Sequence, residues 1–253
     1  MRYANVCEGV FLRRLNRFVA EVQIEGAVQR VHVKNTGRCA ELLVPDARAW
    51  LERSANPARR TAWDLIAVEK RLPGGGVRLV NLDSMAPNRA AMEWLQRGGL
   101  GPLEGLRAEV TVGDSRFDFA AEQGGRPVIV EVKGCTLEEG GVARFPDAPT
   151  ERGLKHVRGL TELARQGNRC AVLIVIQMQG VHRFEPNWDT HPAFGEALLA
   201  AREAGVEIAA LDRRVRPGVG EIDSHVPVRL ERTSASPGGE RGGADPLKGK
   251  ETQ

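Results

Sequence analysis

Short apolar runs separated by turn residues dominate the first third of the chain. Residues 10–12, 18–24, 31–33, 49–51, 65–68 and 77–82 read as strands, with Glu25-Gly26 as one of the turns between them. No good helical period intervenes. About five short strands of this kind predict a small barrel or sandwich, and an OB-like β-barrel over residues 1–84 is one such solution that offers a nucleic-acid groove. Around Pro87 the texture changes. Asn88 is expected to cap a helix that runs to Leu95 and closes at Gly98-Gly99. Strand patterns follow at residues 108–112, 116–121 and 128–132. A helical pattern over 150–165, stopped by Gly167, leads into an apolar strand at 171–176. A last helix at 193–204 ends at Gly205 before a strand at 206–209. This alternation predicts an α/β (α+β) mixed-sheet domain over residues 85–230. From about Glu231 to Gln253 the chain is Ser, Gly, Pro and charge, and a disordered tail is expected.

Composition narrows this picture only in places. The 253 residues suffice for one large or two small cores. A net charge of +3 permits a polyanionic partner without demanding one. More telling are the arginine clusters, Arg13-Arg14-x-x-Arg17, Arg59-Arg60 and the 152–158 stretch, each of which is otherwise read as solvated surface. Four scattered cysteines without a C-x-x-C pair argue against a thiolate metal site or a disulfide framework, and fit a reducing cytoplasm. The N-terminus has no apolar signal core, and the longest apolar run, residues 170–176, is a strand's length rather than a membrane span. The expectation is a cytoplasmic protein with no membrane partner.

Candidate chemistry lies in Arg116-Phe117-Asp118-Phe119 and in Val128-Ile129-Val130-Glu131-Val132-Lys133. Glu131 and Lys133 are two apart on a strand and share a face. They end a strongly apolar strand, where a solvated face is not expected and unpaired charges would be costly. Asp118 sits on the preceding strand of a hairpin whose turn is Glu122-Gln123-Gly124-Gly125, so pairing would bring it beside Glu131. Two adjacent carboxylates repel, and a hard divalent cation removes that conflict. Lysine would then orient or deprotonate an attacking water, or counter charge on a scissile phosphate. On an exposed edge the same three residues would mean little.

Several segments together resemble the sugar fermentation stimulation protein A family. They are Asn35-Thr36-Gly37-Arg38, Pro87-Asn88-Arg89, Ser115-Arg116-Phe117-Asp118-Phe119, Glu131-Val132-Lys133, the run from Phe145-Pro146-Asp147-Ala148-Pro149-Thr150 through Glu151-Arg152-Gly153 to Lys155-His156, and Ala204-Gly205-Val206-Glu207-Ile208. The resemblance covers nearly all of residues 1–230. It implies an N-terminal OB-like barrel joined to a PD-(D/E)xK nuclease-like domain, DNA binding, and a role in regulating sugar (maltose) metabolism. On that pattern Asp118, Glu131 and Lys133 fall on metal and catalytic positions, and Glu109 on another acidic one. Gly134-Cys135 and Cys39 depart from the family's usual residues without removing a charged group.

The helix from Thr150 is expected to gather Arg152, Lys155, His156 and Gly159 on one polar face suited to phosphate. Arg14, Arg17 and Arg116 are further candidates for nucleic-acid contact, although Arg116 would equally suit an ion pair with Asp114 or Glu131. Glu93 is a candidate further acidic group, or simply exposed. His32 reads as structural, and Cys135 as a buried thiol rather than a reactive one. The sequence thus points to a DNA-binding protein with a Mg2+- or Mn2+-dependent nuclease site. Two rivals stand beside it: a DNA-binding regulator that keeps the nuclease fold without its chemistry, and an RNA-processing factor. A homodimer is compatible with the chain.

Overall fold

The computed structural model describes residues 1–35 and 37–232. Thr36 and nearly all of the expected tail lie outside the described residues.

The first six strands are β1 (Val6–Arg14), β2 (Val19–Ile24), β3 (Ala27–Val33), β4 (Arg48–Arg53), β5 (Trp63–Arg71) and β6 (Val77–Asn81). Their order is β3-β2-β1-β4-β5-β6, and a parallel pairing of His32 with Asp64 and Val33 with Leu65 joins β3 to β5. Five strands therefore close into an OB barrel, and β6 is an added edge. Alternation drives the closure: Ala20, Val22 and Ile24 on β2 point inward with Phe11, Leu51 and Leu65. Each of the Val, Ile, Leu and Phe side chains contributes about 1.5–3 kcal/mol by leaving water. Gly9 is where β1 crowds its neighbour most, since a Cβ there would stand 2.8 Å from the Gln23 carbonyl oxygen.

The second domain opens with α1 (Ala86–Gln96), followed by β7 (Glu104–Val112), β8 (Ser115–Gln123), β9 (Arg126–Cys135), β10 (Glu138–Glu139), β11 (Val142–Phe145), α2 (Glu151–Arg165), β12 (Arg169–Ile176), β13 (Arg183–Pro186), α3 (Pro192–Glu203), β14 (Glu207–Arg216) and β15 (Val219–Val226). Its main sheet runs β15-β14-β12-β9-β8-β7, with β12 parallel to both neighbours and antiparallel pairs at each edge. Every residue from Cys170 to Ile176 is fully buried because both faces of β12 are covered. Ala171, Leu173 and Val175 pack on the α1 side, and Cys170, Val172 and Ile174 on the side of α2 and α3. Two features were not foreseen: the small β10-β11-β13 sheet and the charged, half-exposed edge strand β15. Among the described residues no helix is long and apolar enough to cross a membrane.

The domains are not beads on a string. One cluster of buried apolar side chains runs from Phe11 and Leu51 in the barrel to Ile174 and Leu198 in the second domain. Buried polar contacts reinforce the junction, with Lys34 at 2.9 Å from Asp83 and Lys70 at 2.8 Å from Glu138.

Two local details differ from the sequence reading. Helix α1 begins at Ala86, two residues before Asn88, because Pro87 with its fixed φ suits the first turn. Asn88 is therefore not the cap, and its amide is free for another task. Thr150 does cap α2, accepting from the Gly153 amide at 3.1 Å.

Candidate metal centre and active site

On β9, Val130 and Val132 turn toward α1, which leaves Glu131 and Lys133 facing α2. Glu131 is 2% exposed. Its Oε1 lies 2.5 Å from Lys133 Nζ and 2.5 Å from His156 Nδ1. Its Oε2 is equally buried and has no hydrogen-bond partner. One oxygen is doubly served and the other orphaned, an arrangement that costs about 1–3 kcal/mol or more in a carboxylate unless something else engages it.

Asp118 approaches from β8, near enough for the charges of Glu131 and Lys133 to act on it. The β8–β9 ladder ends at the Phe119–Val130 pair. Beyond it, the Val132 backbone amide donates to Asp118 Oδ2 at 2.7 Å, so a side chain replaces the missing strand partner. Asn88 Nδ2 donates to Oδ1 at 2.6 Å. Burial raises the Asp118 carboxyl above its ordinary range, and the Glu131 charge raises it further against those two donors. The hairpin that sets this register turns at Gly124-Gly125, with φ of +56° and +76°. Gly134 matters in the same way: a Cβ there would stand 2.6 Å from Pro87 Cγ, so glycine lets α1 approach β9 and deliver Asn88.

The predicted basic face of α2 is rearranged. Arg152 and Lys155 are exposed, but His156 is 7% exposed and turned inward to Glu131. Gly159 faces Phe117, whose Cζ a Cβ would meet at 3.2 Å. The helical wheel placed His156 and Gly159 with the cations, whereas packing against β8 and β9 assigns them to the inner face and puts Arg158 on the outer one. His156 is thus a partner of Glu131 rather than a surface contact for nucleic acid. Lys155 Nζ lies 3.0 Å from Asp114, which holds it over the β7–β8 turn.

Arg14 is corrected as well. Its guanidinium donates to the carbonyl oxygens of Asn16, Arg17, Asn35, Gly37 and Arg38. All five donors are spent on shaping a loop, so none remains for phosphate. Arg17 stands nearby on the surface, over the Phe18 ring at 5.9 Å. Arg116 pairs with Glu109, not with Asp114 or Glu131. Glu109 is exposed on β7 and opposite Asp118 in register, since Ala108 pairs with Phe119 and Val110 with Phe117. Its φ of +56° is strained for a glutamate. Glu93 Oε2 takes the N-terminal ammonium at 2.8 Å. His32 is structural, 2.9 Å from Asp64, and burial pushes the Cys135 thiol up to about 12, so it is inert.

Asn88 and His156 are the two residues whose part in this centre spacing did not reveal. Among the described residues, no group of three or more His, Cys, Asp or Glu side chains forms a ready cage for an ion. The donor set is leaner: two carboxylates, one with an orphaned buried oxygen. That set suits a cation such as Mg2+, which uses one or two carboxylates and completes its shell with waters and substrate phosphates. The residues present fit the group.

Comparison with known proteins agrees with this architecture. The model of the SfsA N-terminal OB domain matches residues 12–80, and that of the sugar fermentation stimulation protein RE domain matches residues 85–218. A sugar fermentation stimulation protein homolog of Desulfitobacterium hafniense (strain Y51) is 48% identical over 230 residues, covering 91% of this chain and 99% of the relative. The homolog of Ruminiclostridium cellulolyticum is 45% identical over 231 residues, covering 91% of this chain and all of the relative. A solved structure of Pyrococcus furiosus SfsA in complex with Ca2+ superposes with a TM-score of 0.80 at 29% identity, over 90% of this chain and 98% of that one.

Proposed function

The chain belongs to the sugar fermentation stimulation protein (SfsA) family, and we propose that this member is a DNA-binding protein whose Asp118–Glu131–Lys133 centre cleaves phosphodiester bonds with Mg2+ or Mn2+. The orphaned Oε2 of buried Glu131 carries this reading, because a carboxylate oxygen kept from both water and donors is suited to a cation. The Ca2+ complex of the Pyrococcus furiosus relative supports it, as Ca2+ and Mg2+ are both hard, oxygen-seeking ions. When bound, the ion would supply Lewis-acid stabilisation of charge at phosphorus.

The chain's own residues have separable tasks. Asp118 and Glu131 would hold the ion. Asn88 and the Val132 amide fix the Asp118 carboxylate in one orientation, and His156 does the same for Glu131. Lys133, with its side chain only 12% exposed, orients the attacking water or offsets charge building on the scissile phosphate. Arg152, Lys155 and Arg17 would meet the backbone of the nucleic acid, DNA or RNA. Glu109, opposite Asp118, is a fourth member, the third acidic one, only if its pairing with Arg116 opens.

The test is a cleavage panel over single-stranded, duplex, nicked and branched DNA and over RNA, with Mg2+, Mn2+ or EDTA. Cleavage that needs metal and is lost in Asp118→Ala supports the reading. No cleavage of any form, at concentrations where binding is evident, would sink it. The rival, a non-catalytic DNA-binding regulator of sugar (maltose) metabolism genes, is favoured by the lack of a three-ligand cage among the described residues. It requires a gel shift that falls with salt and ignores EDTA.

A further inference from the structure

A cleft of about 410 Å3 opens beside Asp118, between α1 and the β7–β8 edge of the sheet. We propose that this cleft receives the base of an unpaired nucleotide next to the scissile phosphate, so that the preferred substrate is single-stranded nucleic acid or a strand with an unstacked base. The inference rests on the proposed function only for where the phosphate sits.

Asp118 belongs to both the centre and the cleft wall, so a phosphate held near its carboxylate has its own nucleotide within reach of the opening. The wall beyond is soft and apolar. Met85 is 53% exposed, Met92 is half-buried, and the buried Phe119 lies behind them. Thioethers and an aromatic ring make an adaptable surface for a flat π-system. The polar part of the lining is Asp118, Asn88 and Arg89 on the side of the α1 start, and Glu93 and Glu109. The two glutamates on the rim do not set up a repelling field, because Glu93 holds the N-terminal ammonium and Glu109 holds Arg116. The volume lies within the range of small-ligand sites and exceeds what one base needs. A base still paired and stacked in a duplex cannot enter a side pocket of this kind.

The chain's four methionines make the test direct. With 13C-methyl labels, Met85 and Met92 report on the cleft, while Met178, fully buried elsewhere, serves as the control. Adenosine and deoxyadenosine 5′-monophosphates, with and without Mg2+, are titrated against deoxyribose 5-phosphate, which has no base. The nucleotides should move the Met85 and Met92 signals, leave Met178 in place, and bind at least about tenfold more tightly than the base-free compound. Met92→Trp, which fills the cleft, should abolish the nucleotide-induced shift at Met85 and lower the preference for single strands over duplex about tenfold. Equal shifts from the base-free phosphate, a concerted shift of Met178, or no shift at Met85 and Met92 would each overturn the proposal. Methyl shifts without cleavage of any substrate would keep the pocket and remove the nuclease. Cleavage with silent methyl signals would do the reverse.

Discussion

Metal binding should be visible as stability, independent of turnover. In the metal-free protein the Asp118 carboxyl lies close enough to Glu131 to be raised by it as well as by burial, and Glu131 Oε2 is buried without a partner. An ion that binds only the folded state adds RT ln(1 + [M]/Kd), about 2.7 kcal/mol at a hundred times Kd. For a chain of this size each kcal/mol is worth about 2–4 °C, so saturating Mg2+ should raise Tm by about 5–11 °C. Asp118→Asn is the informative perturbation. The raised Asp118 carboxyl means that the fold favours its neutral form at this position, so removing the charge relieves a cost that grows as pH rises through its folded pKa. An asparagine offers only one acceptor to the two donors there, but the Asn88 amide can flip to present its oxygen. The metal-free variant should therefore lie within about 1 kcal/mol of wild type. Its metal-induced rise should vanish. Differential scanning calorimetry with EDTA and with graded Mg2+ or Mn2+ measures both numbers. An unchanged rise in Asp118→Asn, or no rise in wild type at millimolar metal, would refute the reasoning.

Arg14→Met should cost about 1–3 kcal/mol in urea unfolding without changing the salt dependence of DNA binding, since its five donors hold a loop. Arg152→Ala should do the opposite, leaving stability within about 0.5 kcal/mol and reducing the slope of log K against log salt by about 1 in gel shifts. At the domain junction, burial pushes the Glu138 carboxyl up, but hydrogen bonds from Lys70 and the Gly141 amide bring it below its ordinary value. Its stabilisation is present above the unfolded carboxylate range of about 4.3 and is lost as pH falls through the lower folded value. Glu138→Gln should flatten the acid limb of a stability–pH curve and cost about 3 kcal/mol at pH 7 by taking the counter-charge from both Lys70 and Arg78.

The fold was largely legible because its strands obey simple periods. Every predicted strand of the barrel is present, and the apolar run of β12 announced a strand covered on both faces. What escaped was set by tertiary context. β15 is an edge strand whose Val219, Ile222 and Val226 are spaced among Gly, Glu, Asp, Ser and His without a period of two, and it is held by pairing with β14. Asn88 read as a cap because a polar residue precedes an apolar stretch, yet Pro87 starts the helix earlier and turns Asn88 toward Asp118. The helical wheel of α2 grouped His156 with Arg152 and Lys155, and only the presence of buried Glu131 beneath the helix pulls the imidazole inward. Spacing found the carboxylates and the lysine. It did not find the residues that orient them, since those lie 25 and 30 positions away in sequence.

On the proposed function, Asp118, Glu131 and Lys133 perform chemistry and do not merely decorate a binding fold. Single-turnover cleavage and equilibrium binding of one labelled single-stranded oligonucleotide, for wild type and Lys133→Ala side by side, test it most directly. Lys133→Ala should lower the cleavage rate by at least about a hundredfold, as loss of a group that stabilises transition-state charge does, and change Kd by less than about threefold. Equal cleavage by the two proteins, or rates and affinities that fall together, would contradict it.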